Sequence, residues 1–253
     1  MKICLLHAEL RYDDPQENLR ILLGMCEQSL TYSPDVILMP ELAISGYEFE
    51  KQIGVDWIKQ QVPGALALFS EFAQQHSVAL IVGSPFYDPA ADRLTNAAIL
   101  FGEDGRIRGK HNKISVLPGS ESWAEKGTTA DPIPWNDRKM GVLICADMYT
   151  DTIVEHLAKQ GAEVIFSPAN WGPGFHEPGG EWEERSLETG LTVVVCNRTG
   201  MEDQMDFRGA VSAVVVDGKR VLTYDRPEPA VLHVEFDADW KPLSSEFDIL
   251  LVE

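Results

Sequence analysis

Short apolar runs recur along this chain, each stopping abruptly in polar residues, with amphipathic segments between many of them. Runs rich in Val, Ile and Leu and bounded by turn residues read as strands. They are Ile3 to His7, Val36 to Met39, Ala79 to Val82, Asn96 to Phe101, Arg106 to Ile114, Met140 to Cys145, Glu163 to Phe166 and Leu191 to Cys196. The carboxyl-terminal part is β-rich, with Ala210 to Val216, Arg220 to Tyr224 and Ala230 to Phe236. Helices are expected from Pro15, a favoured first-turn residue, to Leu30, and over Gly64 to Gln75, Asp151 to Lys159 and Glu181 to Thr189. Strands interleaved with helices imply an α/β protein. The segments Asp35-Val-Ile-Leu-Met-Pro and Glu163-Val-Ile-Phe-Ser-Pro look alike, which points to two related halves.

Three of these segments carry candidate chemistry where an apolar run meets polar residues. Lys139-Met-Gly-Val-Leu-Ile-Cys145 delivers a thiol to the carboxyl end of a buried strand, the edge at which open α/β sheets place ligands. A lone cysteine is more often a small buried hydrophobe. A thiol with an ordinary pKa also needs a base or a cation beside it to act as a nucleophile. Val36 to Met39 ends in Pro40, which cannot extend a β-ladder, and then delivers the carboxylate of Glu41 among apolar neighbours. Ile107-Arg-Gly-Lys110-His-Asn-Lys113 is a polar strand in which Lys113 precedes the apolar stretch Ile114 to Leu117, whereas Lys110 looks more exposed.

Taken together, Met39-Pro-Glu41-Leu with Gly46-Tyr47, Asn112-Lys113-Ile and Gly141-Val-Leu-Ile-Cys145 resemble the nitrilase superfamily, the carbon–nitrogen hydrolases. Further matches follow in order along the chain: Ser167-Pro-Ala-Asn-Trp171, Arg185 with Glu188, Cys196-Asn-Arg-Thr-Gly200, and Phe207-Arg-Gly209 leading to Asp217-Gly218. The resemblance implies a four-layer α-β-β-α sandwich whose protomers pair as a homodimer or higher homo-oligomer. It also implies a Glu-Lys-Cys triad at Glu41, Lys113 and Cys145. Glu41 would serve as base and acid, Cys145 as nucleophile, and Lys113 with the backbone N–H of Ala146 as the oxyanion's partners. A second glutamate that positions substrate falls on Glu121. Trp171 and the loop Gly172 to Gly180, with Phe175 and His176, are candidates to face the substrate. Asn197 and Arg198 read as structural support, and Arg185 and Glu188 as a local i,i+3 pair.

The implied activity is cleavage of a non-peptide C–N bond in a small linear amide through a cysteine thioester. A nitrilase or an N-carbamoyl amine hydrolase would use the same triad, and a non-catalytic binding protein on the same fold is the remaining alternative. The sequence has no carboxyl-terminal extension of the kind that nitrile-hydrolysing members carry, which favours the amide. Several positions depart from the commoner pattern: Ser115 after the lysine, Val211 with Ser212 after the Phe-x-Gly motif, and Ala146-Asp147-Met148 after the cysteine. None removes a group of the triad.

Composition narrows the partners. The 253 residues, 44% hydrophobic, show no linker or composition break, so one domain over 1–253 is expected. A formal charge of −19 argues against nucleic acid and anionic membranes. No apolar run approaches the ~20 residues that cross a bilayer. The amino-terminal run is too short for a signal-peptide core. Cys4, Cys26, Cys145 and Cys196 lack Cys-x-x-Cys spacing, which fits free thiols in a cytoplasmic protein. The scattered histidines give no ligand pair, so no metal and no cofactor are expected.

Overall fold

Asp14 caps the first helix by accepting a hydrogen bond from Glu17 N at 3.0 Å, and Pro15 takes its first position. Such local signals punctuate the chain throughout the computed structural model, which describes residues 1–173 and 178–252. The first half runs β1 (Lys2–His7), α1 (Pro15–Ser29), β2 (Val36–Leu38), α2 (Phe49–Ile53), α3 (Asp56–His76), β3 (Ala79–Asp88), β4 (Arg93–Phe101) and β5 (Ile107–Asn112). The second begins with β6 (Ile133–Trp135), β7 (Arg138–Val142), α4 (Asp151–Lys159), β8 (Val164–Pro168), α5 (Glu181–Thr189) and β9 (Thr192–Cys196). A small hairpin, β10 (Met201–Glu202) and β11 (Met205–Asp206), precedes β12 (Ser212–Val216), β13 (Lys219–Tyr224), β14 (Ala230–Glu235) and β15 (Asp248–Leu251).

Two large sheets result, with strand orders β15-β14-β1-β2-β3-β4-β5 and β13-β12-β9-β8-β7-β6. Each has a parallel centre. In the first, β1, β2 and β3 run parallel, with Val36 registered against both Ile3 and Ala79, and β14 and β4 flank them antiparallel. In the second, β7, β8 and β9 run parallel between antiparallel β6 and β12. The look-alike segments therefore supply the central strands β2 and β8 of two matching sheets.

Side chains alternate between faces. Ile3, Leu5, Val36, Leu38 and Ile81 join Met140, Phe166 and Val195 in one buried cluster, to which α4 and α5 add Val154, Leu157 and Trp182. Cys4, Leu6, Ile37 and Leu80 join Leu22 and Met25 of α1 and Phe69 and Phe72 of α3 in another. The layers are thus helix, sheet, sheet, helix. Central strands covered on both faces need near-continuous apolar sequence, which explains the runs that stand out in the chain. Among the described residues no helix is long and apolar enough to cross a membrane.

Some elements differ from expectation. Helix α3 begins at Asp56 rather than Gly64, because Trp57, Ile58 and Val62 bury against the core and carry Pro63 inside the helix. Strand β7 ends at Val142, and β5 ends at Asn112, so Lys113 and Cys145 lie just past their strands.

The first sheet also sets the position of Glu41. Met39 N donates to Ile81 O at 3.0 Å and Ala43 N donates to Gly83 O at 2.8 Å, which ties both sides of Glu41 to β3. A Cβ on Gly83 would collide with the Pro40 carbonyl and lie 2.9 Å from Glu41 Cα. Gly83→Ala is expected to destabilise the fold by about 1–3 kcal/mol, the usual cost of overpacking against backbone. Urea unfolding checks this, and an unchanged midpoint with an unchanged slope contradicts it.

Candidate active site

Glu41, Cys145 and Asn170 all follow parallel strands, β2, β7 and β8, and so meet at the carboxyl edges where the two sheets face each other. Cys145 opens a short 3₁₀ turn, Cys145–Tyr149, with φ +45, a left-handed backbone that non-glycine residues rarely adopt. Such strain persists where the surroundings over-determine it, and it clusters at functional sites. Here the surroundings are explicit. Asp147 accepts from Ile144 N at 3.0 Å, from Ile114 N at 3.0 Å and from Ser115 N at 2.8 Å, and shares a 2.7 Å hydrogen bond with His111 Nε2. One buried carboxylate therefore fastens the cysteine turn to the segment that carries Lys113.

Lys113 is fully buried, and its ammonium reaches three carboxylate oxygens: Glu41 Oε1 at 2.7 Å, Glu121 Oε1 at 2.8 Å and Glu121 Oε2 at 2.7 Å. Asn96 Nδ2 bridges the same two acids, at 2.7 Å from Glu41 and 2.6 Å from Glu121. Asn170 holds Glu41 from the other sheet, donating N to Oε2 at 3.0 Å and Nδ2 to the backbone oxygen at 2.8 Å. Apolar neighbours were expected around Glu41. Leu42 and Ala43 are such neighbours, but the Glu41 carboxyl also accepts three hydrogen bonds, two on Oε1 from Lys113 and Asn96 and one on Oε2 from Asn170 N, as a buried polar group requires.

The charges act on one another strongly in this dry site. Burial is the largest influence on Cys145 and pushes its thiol pKa well up. Glu41 and Glu121 raise it further, and Lys113 opposes them. Burial opposes the charge of Lys113, but Glu41, Cys145 and Glu121 outweigh it and hold the ammonium well above the ordinary lysine value. Glu121 is raised by burial and then by Glu41, against the pull of Lys113 and of Leu117 N, which donates to it at 2.9 Å. The cluster thus favours a neutral thiol at Cys145 beside a protonated Lys113.

Above it lies a cavity of about 690 Å³ lined by Cys145, Ala146, Tyr47, Tyr149, Trp171 and Phe207, with Glu48, Gln204 and Asp206 among the polar contributors. That volume suits a small organic ligand.

The sequence profile of the carbon-nitrogen hydrolase family matches residues 3–244. The chain belongs to the carbon–nitrogen hydrolase family.

Its relatives within this family include a nitrilase of Pyrococcus abyssi, 28% identical over 78% of this chain and 74% of that protein. An omega-amidase of Saccharomyces cerevisiae is 26% identical over 92% of this chain and 88% of its own length. Among solved structures, a mutant amidase from Nesterenkonia sp. AN1 that shows Michael addition of acrylamide at its active-site cysteine superposes with a TM-score of 0.85. It is 25% identical and covers 95% of this chain and 94% of its own. The protein is accordingly a carbon–nitrogen hydrolase of the nitrilase superfamily, amidase-like, with the α-β-β-α sandwich.

The remaining candidates of this hydrolase fall as follows. Glu121, expected against the substrate, is fully buried and grips Lys113 with both oxygens. Ala146 lines the cavity one residue past the thiol. Trp171 both packs and lines it: its ring meets Trp182 at 5.4 Å and Tyr149 at 4.8 Å, and its backbone is held by the Asn197 amide at 3.1 and 2.9 Å. Arg198 is buried against Glu202 and the Leu10 carbonyl, and Arg185 pairs with Glu188 at 2.9 Å. Phe175 and His176 lie outside the described residues.

Asn96, Asn170, His111 and Asp147 have no assigned role in the sequence reading. The available signal was a polar residue inside or just beyond an apolar strand, as Asn96 is within β4 and Asn170 after β8. Asp147→Asn puts an amide nitrogen against donors on at least one side, and a buried donor left unpaired costs about 1–3 kcal/mol. We expect kcat on amides to fall by at least about tenfold with a smaller change in KM, since the turn rather than the cavity is disturbed. Steady-state kinetics on folded variant checks this, and a loss confined to KM contradicts it.

Proposed function

We propose that the protein hydrolyses the C–N bond of a small linear amide through a thioester on Cys145. Glu41 accepts the thiol proton as sulfur attacks the carbonyl carbon. The C–S bond forms and the carbonyl π electrons move to oxygen. The N–H of Ala146 and the charge of Lys113 stabilise that oxyanion. An ammonium has three N–H donors, and those of Lys113 already face carboxylate oxygens, so its contribution at this stage is chiefly electrostatic. Glu41 then returns the proton to nitrogen, the C–N bond breaks, and ammonia or an amine leaves. A water molecule, deprotonated by Glu41, attacks the thioester. The carboxylic acid departs and the thiol recovers its proton. The balance is amide plus water to acid plus ammonia or amine, with one carboxylate serving alternately as base and acid.

The observation that carries this reading is the 2.7 Å contact of Glu41 with Lys113, both fully buried, acting electrostatically on a thiol that opens into the cavity. The raised thiol pKa fits a base-assisted attack, in which proton transfer accompanies C–S bond formation, rather than a standing thiolate. Glu121 is read as the residue that positions Lys113.

Rapid acid quench during turnover of a panel of amides, followed by mass spectrometry, tests the route. The acyl mass is expected on the Cys145 peptide, with ammonia released in step with acid. Ammonia released with no adduct at any quench time would rule the thioester out. Including nitriles and N-carbamoyl amines in the panel ranks the alternatives, since only a carbamoyl compound also yields carbon dioxide.

A further inference from the structure

The cavity above Cys145 has a charge pattern that the triad does not use. Its walls carry two carboxylates, Glu48 and Asp206, and among the described residues no lysine, arginine or histidine lines it. Each acid pairs with a cation that is not among the residues lining the cavity. Glu48 pairs with Lys51, and Asp206 accepts from Arg208 at 2.9 and 2.7 Å. Those cations are 61% and 58% exposed, so water and salt screen them; Asp206, 45% exposed, shares that screening, whereas Glu48 at 6% is the buried acid of the wall. Lys113, the nearest buried ammonium, is fully engaged by Glu41 and Glu121.

This wall is built rather than incidental. Glu202 accepts from Tyr47 N at 2.8 Å and from Glu48 N at 2.9 Å, and is itself paired with buried Arg198. The segment that presents Glu48 is thereby locked to the β10–β11 hairpin, whose loop and second strand present Gln204 and Asp206. Tyr149, Trp171, Phe207 and Leu117 give the lining an apolar portion that can hold a hydrocarbon chain.

We propose that this cavity selects amides by the charge at the far end of the acyl chain, accepting uncharged or cationic ends and rejecting a terminal carboxylate. The proposal rests on the amidase reading. A chain seated on Cys145 and ending in a carboxylate would bring an anion to Glu48 and Asp206 with no counter-ion lining the cavity among the described residues, and discrimination built on like charges is effective. An ammonium end would instead pair with the two acids, and a hydrocarbon end would pack on the rings. The formal charge of −19 adds repulsion of anionic substrates at longer range.

The test uses three ligands of equal chain length: pentanamide, 5-aminopentanamide and glutaramate, the monoamide of a five-carbon diacid. Two readouts run in parallel, kcat/KM with the intact enzyme and Kd with Cys145→Ala by calorimetry. Glutaramate is expected to be at least about tenfold poorer than pentanamide in both, with 5-aminopentanamide equal to or better than pentanamide. The glutaramate-to-pentanamide ratio is then expected to rise in Asp206→Asn, and independently in Glu48→Gln. Glutaramate turned over as well as pentanamide overturns the charge selection and leaves the amidase reading standing. The expected Kd ranking with no hydrolysis of any of the three supports the charge selection and removes the amidase reading. Equal Kd values, or no binding of any ligand, overturn the proposal.

Discussion

Cys145→Ala is expected to abolish amide turnover, by at least about 10⁴-fold, because it deletes the atom that forms the covalent intermediate and nothing nearby can replace it. Cys4, Cys26 and Cys196 are free but buried elsewhere, with their thiols raised by burial, Cys4 to about 12. Cys196 donates to Leu6 O and Leu38 O between the sheets, far from any role in the cavity. The variant is expected to fold. Cys145 is a small side chain, and alanine meets the same left-handed backbone with the same strain, while Asp147 continues to clamp the turn. The expected signature is therefore lost ammonia release with a thermal midpoint close to the parent's and retained amide binding. Activity within tenfold of the parent would show that another group attacks the amide, and the thioester route would fail with it.

Much of the fold is visible in the chain because burial on two faces writes long apolar runs. β2, β8 and β9 could be read directly for that reason, and the alike β2 and β8 segments lie near the centres of the two large sheets. β15 and the β10–β11 hairpin were missed because their exposed or mixed residues carry no such run. Helix α3 extends eight residues before the expected Gly64, because tertiary packing of Trp57, Ile58 and Val62 carries Pro63 within a helix it would usually interrupt.

The site divides along the same physical line. Glu41, Lys113 and Cys145 stand just past legible strands, so their approach to one sheet edge could be anticipated, although Lys113 and Cys145 were expected within the strands they follow. Asn170 and Asp147 could not, although each makes two or more hydrogen bonds to the site's scaffold. Asn170 and Glu41 are 129 residues apart in the chain, and their contact exists only once two sheets face each other. A polar side chain after a strand reads the same whether it meets solvent or a buried carboxylate. The three hydrogen bonds to the Glu41 carboxyl are likewise a tertiary fact, and they come in addition to the apolar neighbours visible in the chain.

Lys113→Met separates the role of the cation in stability from its role in chemistry. Methionine fills similar volume, so the effect falls on charge rather than packing. Glu41 and Glu121 are then left in a site where neither is exposed and, among the described residues, no other cation pairs with them. Breaking a buried ion pair from one side typically costs about 3–5 kcal/mol. The pH dependence follows in sign. Glu121 is already raised by burial and by Glu41, and Lys113 is what restrains it, so removing Lys113 raises it further. A carboxyl raised in the folded state stabilises fully below its unfolded value of about 4.3, and that contribution is lost as pH rises through the folded value. The deficit of the variant relative to the parent is therefore expected to be larger at about pH 8 than at about pH 5 in urea unfolding. Amide turnover is expected to fall by at least about 10²-fold at either pH, as for loss of a principal oxyanion partner. A variant as stable as the parent at both pH values would overturn the stabilising role assigned to the buried pairs of Lys113 with Glu41 and Glu121.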